Sequence, residues 1–301
     1  MYAITGATGN IGSKAAEILL DRGKRVRVIG RDAATLRTLV KKGAEPAVGD
    51  LKDTAFLTGA FNGVEGVFAM IPPNFTATDF RGYQNEIGRS IADATVKAGV
   101  KHVVNLSSQG AELPAGTGPI LGLYDQEKRL NLLVGVNVLH LRCTYFMENL
   151  LMNIPLINQR GFAGSAVRGD RKFAMIATRD IAVRVAEHLV ERDFSGKVVK
   201  DLLGQRDLSL DEAVGVLGRR IGWPDLKYVQ IPNDEAAKGM VEMGISPDLS
   251  RLFIEMGTGL GNGLFAVNRP RTTENTTPTS IEEFAGVFAE AFEASTQKKA
   301  A

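Results

Sequence analysis

Short apolar runs alternate with longer segments of helical periodicity over the first 150 residues of the chain. The apolar runs predict six strands, at residues 2–5, 25–29, 45–48, 66–71, 100–106 and 136–142. Helices are predicted between them at residues 13–22, 35–42, 83–97 and 124–134, three of them closed by a glycine. This alternation is typical of an α/β fold and predicts a doubly wound parallel sheet.

The pattern changes near Met147, after which the chain is richer in loops and helices. Residues 153–172 are loop-rich, residues 179–191 form a predicted helix, and residues 197–203 form a predicted strand that returns to the sheet. Further helices are predicted at residues 209–221, 234–243, 247–256 and 280–292. The glycine-rich run 257–263 is predicted to be a flexible loop, and the tail 296–301 to be frayed.

These elements predict two domains. The sheet domain comprises residues 1–152 together with the returning segment, about residues 173–203. A smaller, mostly helical domain, about residues 153–172 and 204–301, lies over it. Its last helix begins with a capping box, in which Ser280 is followed by Glu283.

Composition excludes several classes of protein. The chain has 301 residues, of which 44% are hydrophobic and 23% charged, so it is neither disordered nor a repetitive fibre. A net charge of +2, with scattered basic residues, gives no electrostatic reason to expect binding to nucleic acid or a membrane surface. No apolar run is long enough to span a membrane, and no secretion signal is recognisable. We therefore expect a cytoplasmic protein, monomeric or homodimeric, that acts on a small molecule.

Metal and disulfide chemistry are also not expected. Cys143 is the single cysteine of the chain, which excludes an internal disulfide and a thiolate-rich metal site. Neither a histidine nor a cysteine lies at ligand spacing from any of the three histidines. No metal site is therefore predicted.

A glycine-rich motif follows the first predicted strand directly and opens the first predicted helix. Glycine permits the tight turn and lets backbone N–H groups approach a pyrophosphate, while the helix N-terminus supplies partial positive charge. The alternative is a purely structural glycine turn, but strand, turn, helix and second strand are all in register. We predict that this motif binds a dinucleotide through Gly6, Thr8, Gly9, Asn10, Ile11 and Gly12.

The end of the second predicted strand bears on the choice between NADPH and NADH. Gly30 stands near the position where an NAD-preferring site usually has an acidic residue, and the Arg31 guanidinium can pair with a 2′-phosphate. Asp32 argues the other way, as a possible acceptor from the ribose. We favour NADPH over NADH. Asp50 and Leu51, after the third strand, are predicted to contact the adenine.

Candidate catalytic residues follow the fifth predicted strand. Tyr124 and Lys128 are four residues apart and therefore share one helix face. The ammonium group favours the phenolate, which makes Tyr124 a usable acid or base, and Lys128 can also hold the nicotinamide ribose. A hydroxyl from Ser108 or Ser107 could polarise a carbonyl. A chance occurrence of the Tyr–Lys pair is the alternative, which its position after the serine-bearing strand makes weaker.

Together these motifs resemble the NmrA-like group of atypical short-chain dehydrogenase/reductases. The matching segments are Thr5 to Gly12, Gly49-Asp50, Val103 to Ser108, the Lys128 helix, Phe146 to Asn149, Arg179 to Ala182 and Ser280 to Ala285. The resemblance implies a Rossmann domain that binds NAD(P) and a C-terminal domain that covers the substrate. It also implies that Ile71 and Pro72 form part of the cofactor groove.

Members of this group include NADPH-dependent quinone, azo-dye and triphenylmethane reductases, as well as non-catalytic redox sensors. Many lack the tyrosine that is present here as Tyr124, which favours a working reductase. Relatives often have Arg-Pro-Gly where this chain has Arg142-Cys143-Thr144, so the loop beside the nicotinamide is expected to differ. The sequence thus predicts an NADPH-dependent oxidoreductase that reduces a small, largely apolar carbonyl or quinone. A redox sensor that regulates a protein partner is the alternative, and a sugar-nucleotide epimerase ranks third.

Overall fold

The computed structural model describes residues 1–265 and 270–300. Its strands are β1 (Tyr2–Ile4), β2 (Val26–Gly30), β3 (Glu45–Val48), β4 (Gly66–Ala69), β5 (His102–Ser108), β6 (Asn137–Cys143), β7 (Tyr145–Phe146), β8 (Ala163–Ser165), β9 (Phe173–Ile176), β10 (Lys197–Leu202), β11 (Asp207–Leu208) and β12 (Tyr228–Gln230). Seven of them form one parallel sheet in the order β10-β6-β5-β4-β1-β2-β3. The predicted doubly wound sheet is confirmed.

Helices cover both faces of this sheet. They are α1 (Asn10–Asp21), α2 (Ala33–Lys41), α3 (Thr54–Phe61), α4 (Phe80–Lys97), α5 (Leu121–Asn131), α6 (Ile154–Arg160), α7 (Thr178–Glu191), α8 (Leu210–Arg220), α9 (Asn233–Glu242), α10 (Pro247–Gly261) and α11 (Ile281–Ala300). Short 3₁₀ helices lie at Gly118–Ile120 and Met147–Asn153. None of the helices in the described ranges combines the length and the apolar composition that a bilayer crossing requires.

Alternation along the strands divides the core of the sheet into two layers. Ile4 of β1 packs with Leu19 of α1 and Val185 of α7 on one face. Ala3 points to the other face, into a cluster with Leu57 of α3 and further residues of α4 and α5. Because both faces are covered, β4 and most of β5 are buried, as is usual for parallel sheets.

A second core lies beyond the sheet, where α8 and α11 pack together. It contains Leu210, Val214 and Phe288 and is bordered by the small sheet of β7, β9 and β11. The predicted capping box of α11 is confirmed, because Glu283 N–H donates to Ser280 Oγ and Ser280 N–H donates to the Glu283 carboxylate. This part of the chain is mostly helical, as predicted.

The structure corrects several details of the prediction. Helix α3 was not predicted, although Asp53 caps it by accepting from the N–H groups of Ala55 and Phe56. Helix α10 continues to Gly261, so most of the predicted flexible loop 257–263 is helical. The predicted loop 153–172 contains α6 and β8. The tail predicted to be frayed continues α11 to Ala300.

Candidate functional site

The glycine-rich motif forms the turn between the carboxyl end of β1 and the first turn of α1. Gly6 has a φ of +62°, a conformation that side chains disfavour, and the Gly9 N–H donates to the Gly6 carbonyl at 3.0 Å. A Cβ on Gly12 would lie only 2.7 Å from the Gly6 carbonyl carbon. The turn therefore depends on glycine at both ends and brings backbone N–H groups to the surface of the crevice.

The N-terminus of α1 is free to bind an anion. Its N-cap is Gly9, and no described side chain caps the helix or places a carboxylate in its first turn. Thr8 and Asn10 are exposed beside it, whereas Ile11 is buried and anchors the helix to the core. Unpaired N–H groups and the helix dipole together suit a pyrophosphate, so the residues present fit a dinucleotide.

The side chains of Thr5 and Met70 support this turn. Thr5 Oγ1 accepts from the Met70 N–H at 2.7 Å and donates to the Met70 carbonyl, which joins the ends of β1 and β4. The Met70 side chain occupies the space in which a Cβ on Gly6 would stand. Met70 was not predicted as a site residue, and no local sequence signal marks it.

Beyond β2, the two charged residues of the predicted ribose site have different roles. Asp32 caps α2, since its Oδ1 accepts from the Ala34 N–H at 2.8 Å. The neighbouring Arg31 is exposed at the carboxyl edge of the sheet. The Asp32 carboxylate is thus already engaged, whereas the Arg31 guanidinium remains available to a phosphate.

Residues after β3 and β4 gather near Arg31. Leu51 is buried, and Asp50 accepts from the Lys52 N–H at 2.9 Å. Burial raises the pKa of the Tyr83 hydroxyl above its usual range, and the nearby Arg31 and Lys52 cations oppose that shift. Lys52, whose Nζ lies 5.3 Å from the Tyr83 ring centroid, was missed by the sequence analysis. The sequence marks Lys52 only as a basic residue two positions after Asp50.

The segment after β4 runs along the same edge. The strand ends at Ala69, two residues earlier than predicted, so Ile71 and Pro72 lie in the following loop and are half-buried. Tyr83 of α4 donates its hydroxyl to the Pro72 carbonyl at 3.1 Å. This bond fixes the loop against α4 and brings the residues of the predicted cofactor groove together with those after β2 and β3.

The Tyr–Lys pair is formed on α5. Lys128 Nζ donates to Tyr124 Oη at 2.7 Å and lies 4.6 Å from the tyrosine ring centroid. Tyr124 is half-buried and Lys128 is exposed. The Tyr124 hydroxyl thus accepts from the ammonium group and stays within reach of a ligand.

The two serines at the end of β5 point to opposite faces of the sheet. Ser107 is buried and donates to Glu127 Oε1 of α5 at 2.5 Å, and Glu127 also accepts two bonds from Arg142 at 2.9 and 2.6 Å. Ser108 is half-buried and donates to the adjacent Gln109 carbonyl at 3.0 Å. Ser107 is thus engaged in the buried ion pair that holds α5 on the sheet, and Ser108 is the freer hydroxyl.

A cavity of about 240 Å³ opens at Gln109 and Leu203, the residues that follow Ser108 of β5 and the last residue of β10 at the carboxyl end of the central sheet. Its described lining includes neither Ser108 nor Tyr124 nor Lys128. Gln109, Phe173, Leu203, Leu260 and Phe265 form much of its wall. Leu260 and Phe265 also pack with Ile120 and Leu123, the residue before Tyr124. Ligands of open α/β sheets bind at this edge of the sheet, so the cavity is the candidate substrate pocket.

Cys143 has a structural role. Cys143 is buried in β6, and burial raises the pKa of its thiol, so it behaves as a small core residue. Across residues 1–265 and 270–300, no three His, Cys, Asp or Glu side chains converge in a way that could hold a metal ion.

The NmrA-like family model matches residues 2–285, and the chain belongs to this family. It is 29% identical over 258 residues to the NAD(P)H azoreductase of Xenophilus azovorans, covering 85% of this chain and 86% of the relative. It is 28% identical over 269 residues to quinone oxidoreductase 2 of Escherichia coli K12, covering 87% and 89%. The crystal structure of the NADPH-dependent quinone oxidoreductase QOR2 of Escherichia coli, complexed with NADPH, superposes with a TM-score of 0.80 at 25% identity. That superposition covers 95% of this chain and 99% of the other.

Proposed function

We propose that this protein is an NADPH-dependent oxidoreductase that transfers hydride to a small, largely apolar quinone or carbonyl. The observation that carries this proposal is the uncapped N-terminus of α1, which follows the Gly6 turn. This N-terminus lies at the same carboxyl edge of the central sheet as the cavity beside Ser108. Two relatives bear the names of an NAD(P)H azoreductase and a quinone oxidoreductase, which supports hydride chemistry over a purely regulatory role.

The cofactor is held by the carboxyl edge of the sheet domain, residues 1–152 and about 173–203. Backbone N–H groups of the turn from Gly6 to Gly12 bind the pyrophosphate, with Thr8, Asn10 and Ile11 at the start of α1. Arg31 pairs with the 2′-phosphate, Asp50 and Leu51 contact the adenine, and Ile71 and Pro72 line the groove. When bound, NADPH supplies the hydride.

Reduction of a carbonyl also requires a proton. Tyr124 would donate it to the carbonyl oxygen, and solvent would then reprotonate the phenolate. Lys128 stabilises that phenolate and holds the nicotinamide ribose. Ser108 orients the carbonyl oxygen, a role for which Ser107 is less suited because its hydroxyl donates to Glu127. Residues 153–172 and 204–301 cover the substrate.

The purified protein is expected to oxidise NADPH in the presence of quinones. Nicotinamide absorbance followed against a panel of quinones, enones, aldehydes and ketones, with a parallel measurement of NADPH binding, tests the proposal. Turnover with at least one class supports an enzyme. Tight NADPH binding without turnover of any acceptor would contradict it and favour the redox sensor.

Replacement of Arg31 by alanine is expected to reduce the preference for NADPH over NADH by about tenfold or more, because a guanidinium–phosphate contact contributes about 1.5–3 kcal/mol. The measurement is the ratio of kcat/KM for the two cofactors with one acceptor. Arg37→Ala is the matched control, since Arg37 is an exposed arginine farther along α2. An unchanged ratio in Arg31→Ala would remove Arg31 from the phosphate site.

A further inference from the structure

Charge is distributed unevenly around the cavity beside Ser108. Its described lining includes three cationic side chains, Arg171, Lys172 and Arg271, but a single carboxylate, Asp207. An excess of positive charge at one rim attracts anions and repels cations. Of these three cations, only one that is not already paired with a protein group is free to bind a ligand.

Two of them already have acidic partners. Arg271 pairs with Asp207 and also donates to the Gly204 carbonyl, which neutralises the one lining carboxylate. Lys172 Nζ lies 2.6 Å from the Glu212 carboxylate. Both cations are therefore already paired with carboxylates of the protein.

Arg171 is different, because within the described ranges it forms neither a hydrogen bond nor an ion pair within 4.0 Å, although its charge, after the hydrogen bond from Arg168, also lowers the pKa of the adjacent Asp170 carboxyl. Its neighbour Asp170 pairs instead with Arg168 at 2.8 Å. The guanidinium lies against the backbone of Gly263, where an added Cβ would stand 2.8 Å from Arg171 Cζ. Glycine at position 263, with a φ of +79°, thus leaves the space in which the guanidinium lines the cavity.

We propose that Arg171 binds an acidic group of the substrate, so that the enzyme prefers quinone-type substrates that carry a sulfonate, carboxylate or phosphate. This inference rests on the proposed function, because it concerns the pocket in which the hydride acceptor lies. The apolar side chains of Phe173, Leu260 and Phe265 face the ring, and the planar guanidinium offers two parallel N–H donors to the acidic group. A cationic acceptor is disfavoured by the same charge.

The test compares naphthoquinone with naphthoquinone sulfonate as acceptors for NADPH, using the ratio of their kcat/KM values. The wild-type ratio is expected to favour the sulfonate, and Arg171→Ala is expected to lower it by about fivefold or more. Arg220→Ala is the matched control, because Arg220 is an exposed arginine at the end of α8 that does not line the cavity. Carboxylate and phosphate derivatives, run as further pairs, determine which acidic group is preferred.

Because the readout is a ratio, a general loss of activity cancels. An unchanged ratio in Arg171→Ala, or an equal fall in Arg220→Ala, would overturn the proposal. A calorimetric dissociation constant for naphthalenesulfonate, which accepts no hydride, separates this proposal from the proposed function. Weaker binding in Arg171→Ala without turnover by any variant would uphold the anion site and contradict the reductase. Equal binding by wild type and Arg171→Ala would contradict the anion site.

Discussion

Replacement of Gly12 by alanine is expected to weaken NADPH binding at least about 100-fold and to destabilise the fold by about 1–3 kcal/mol. The new Cβ would lie 2.7 Å from the Gly6 carbonyl carbon and 3.1 Å from Ala7 Cα, so backbone has to move. The atoms that move belong to the turn whose N–H groups we propose to bind the pyrophosphate. Fluorescence titration with NADPH and thermal unfolding of the same samples measure the two effects.

Gly59→Ala is the matched control for this substitution. Gly59 lies in α3, and a Cβ at that position would meet no atom within 4 Å. Alanine is the better helix former, so the control is expected to keep NADPH affinity and to gain up to about 1 kcal/mol in stability. If Gly12→Ala bound NADPH as tightly as Gly59→Ala does, the turn would not be the pyrophosphate site.

Tyr124→Phe is expected to lower kcat for aldehydes or ketones by about 100- to 10,000-fold, the range that general acid catalysis contributes. The substitution removes the hydroxyl that accepts the 2.7 Å bond from Lys128, and with it the proposed proton donor to the carbonyl oxygen. For quinones the expected loss is below about tenfold, because their oxygens need little acid assistance during hydride transfer. Single-turnover rates with one acceptor of each kind measure the difference.

The control for the tyrosine variant is Tyr2→Phe. Tyr2 begins β1, at the opposite edge of the sheet from the glycine turn, and loses a hydroxyl in the same way. It is expected to leave both rates unchanged. Equal rates for Tyr124→Phe and wild type with every carbonyl would show that the Tyr–Lys pair is not catalytic, and would leave only the quinone chemistry.

Local sequence signals were sufficient to predict the structure where a few consecutive residues determine the conformation. The turn from Gly6 to Gly12 could be predicted because strand, turn and helix follow one another within about twenty residues. Helix α3 was missed although Asp53 is a good N-cap, because its eight residues, TAFLTGAF, are too few and too apolar for a periodic pattern. The prediction ended helix α10 too early, at residue 256, because glycines follow and glycine is a poor helix former.

Tertiary packing overrode that propensity in α10. A Cβ on Gly259 would stand 2.9 Å from the Gly116 carbonyl oxygen, so the helix approaches the chain before α5 more closely than a larger residue would allow. The same packing brings Leu260 and Phe265 to the wall of the cavity beside Ser108. No periodicity in the sequence reveals which loops and helix ends meet at such a wall.

The sequence by itself determined the alternation of strands and helices in the central sheet, the glycine turn after β1 and the spacing of Tyr124 and Lys128, because each depends on residues close together in the chain. Only the tertiary structure decided that Ser107 faces Glu127 while Ser108 faces away, since the side that α5 covers follows from the sheet topology. It alone brought Arg171 to the cavity without a hydrogen bond or an ion pair from the described chain. Contacts between residues far apart in sequence depend on how whole elements pack, and that packing is a property of the complete fold.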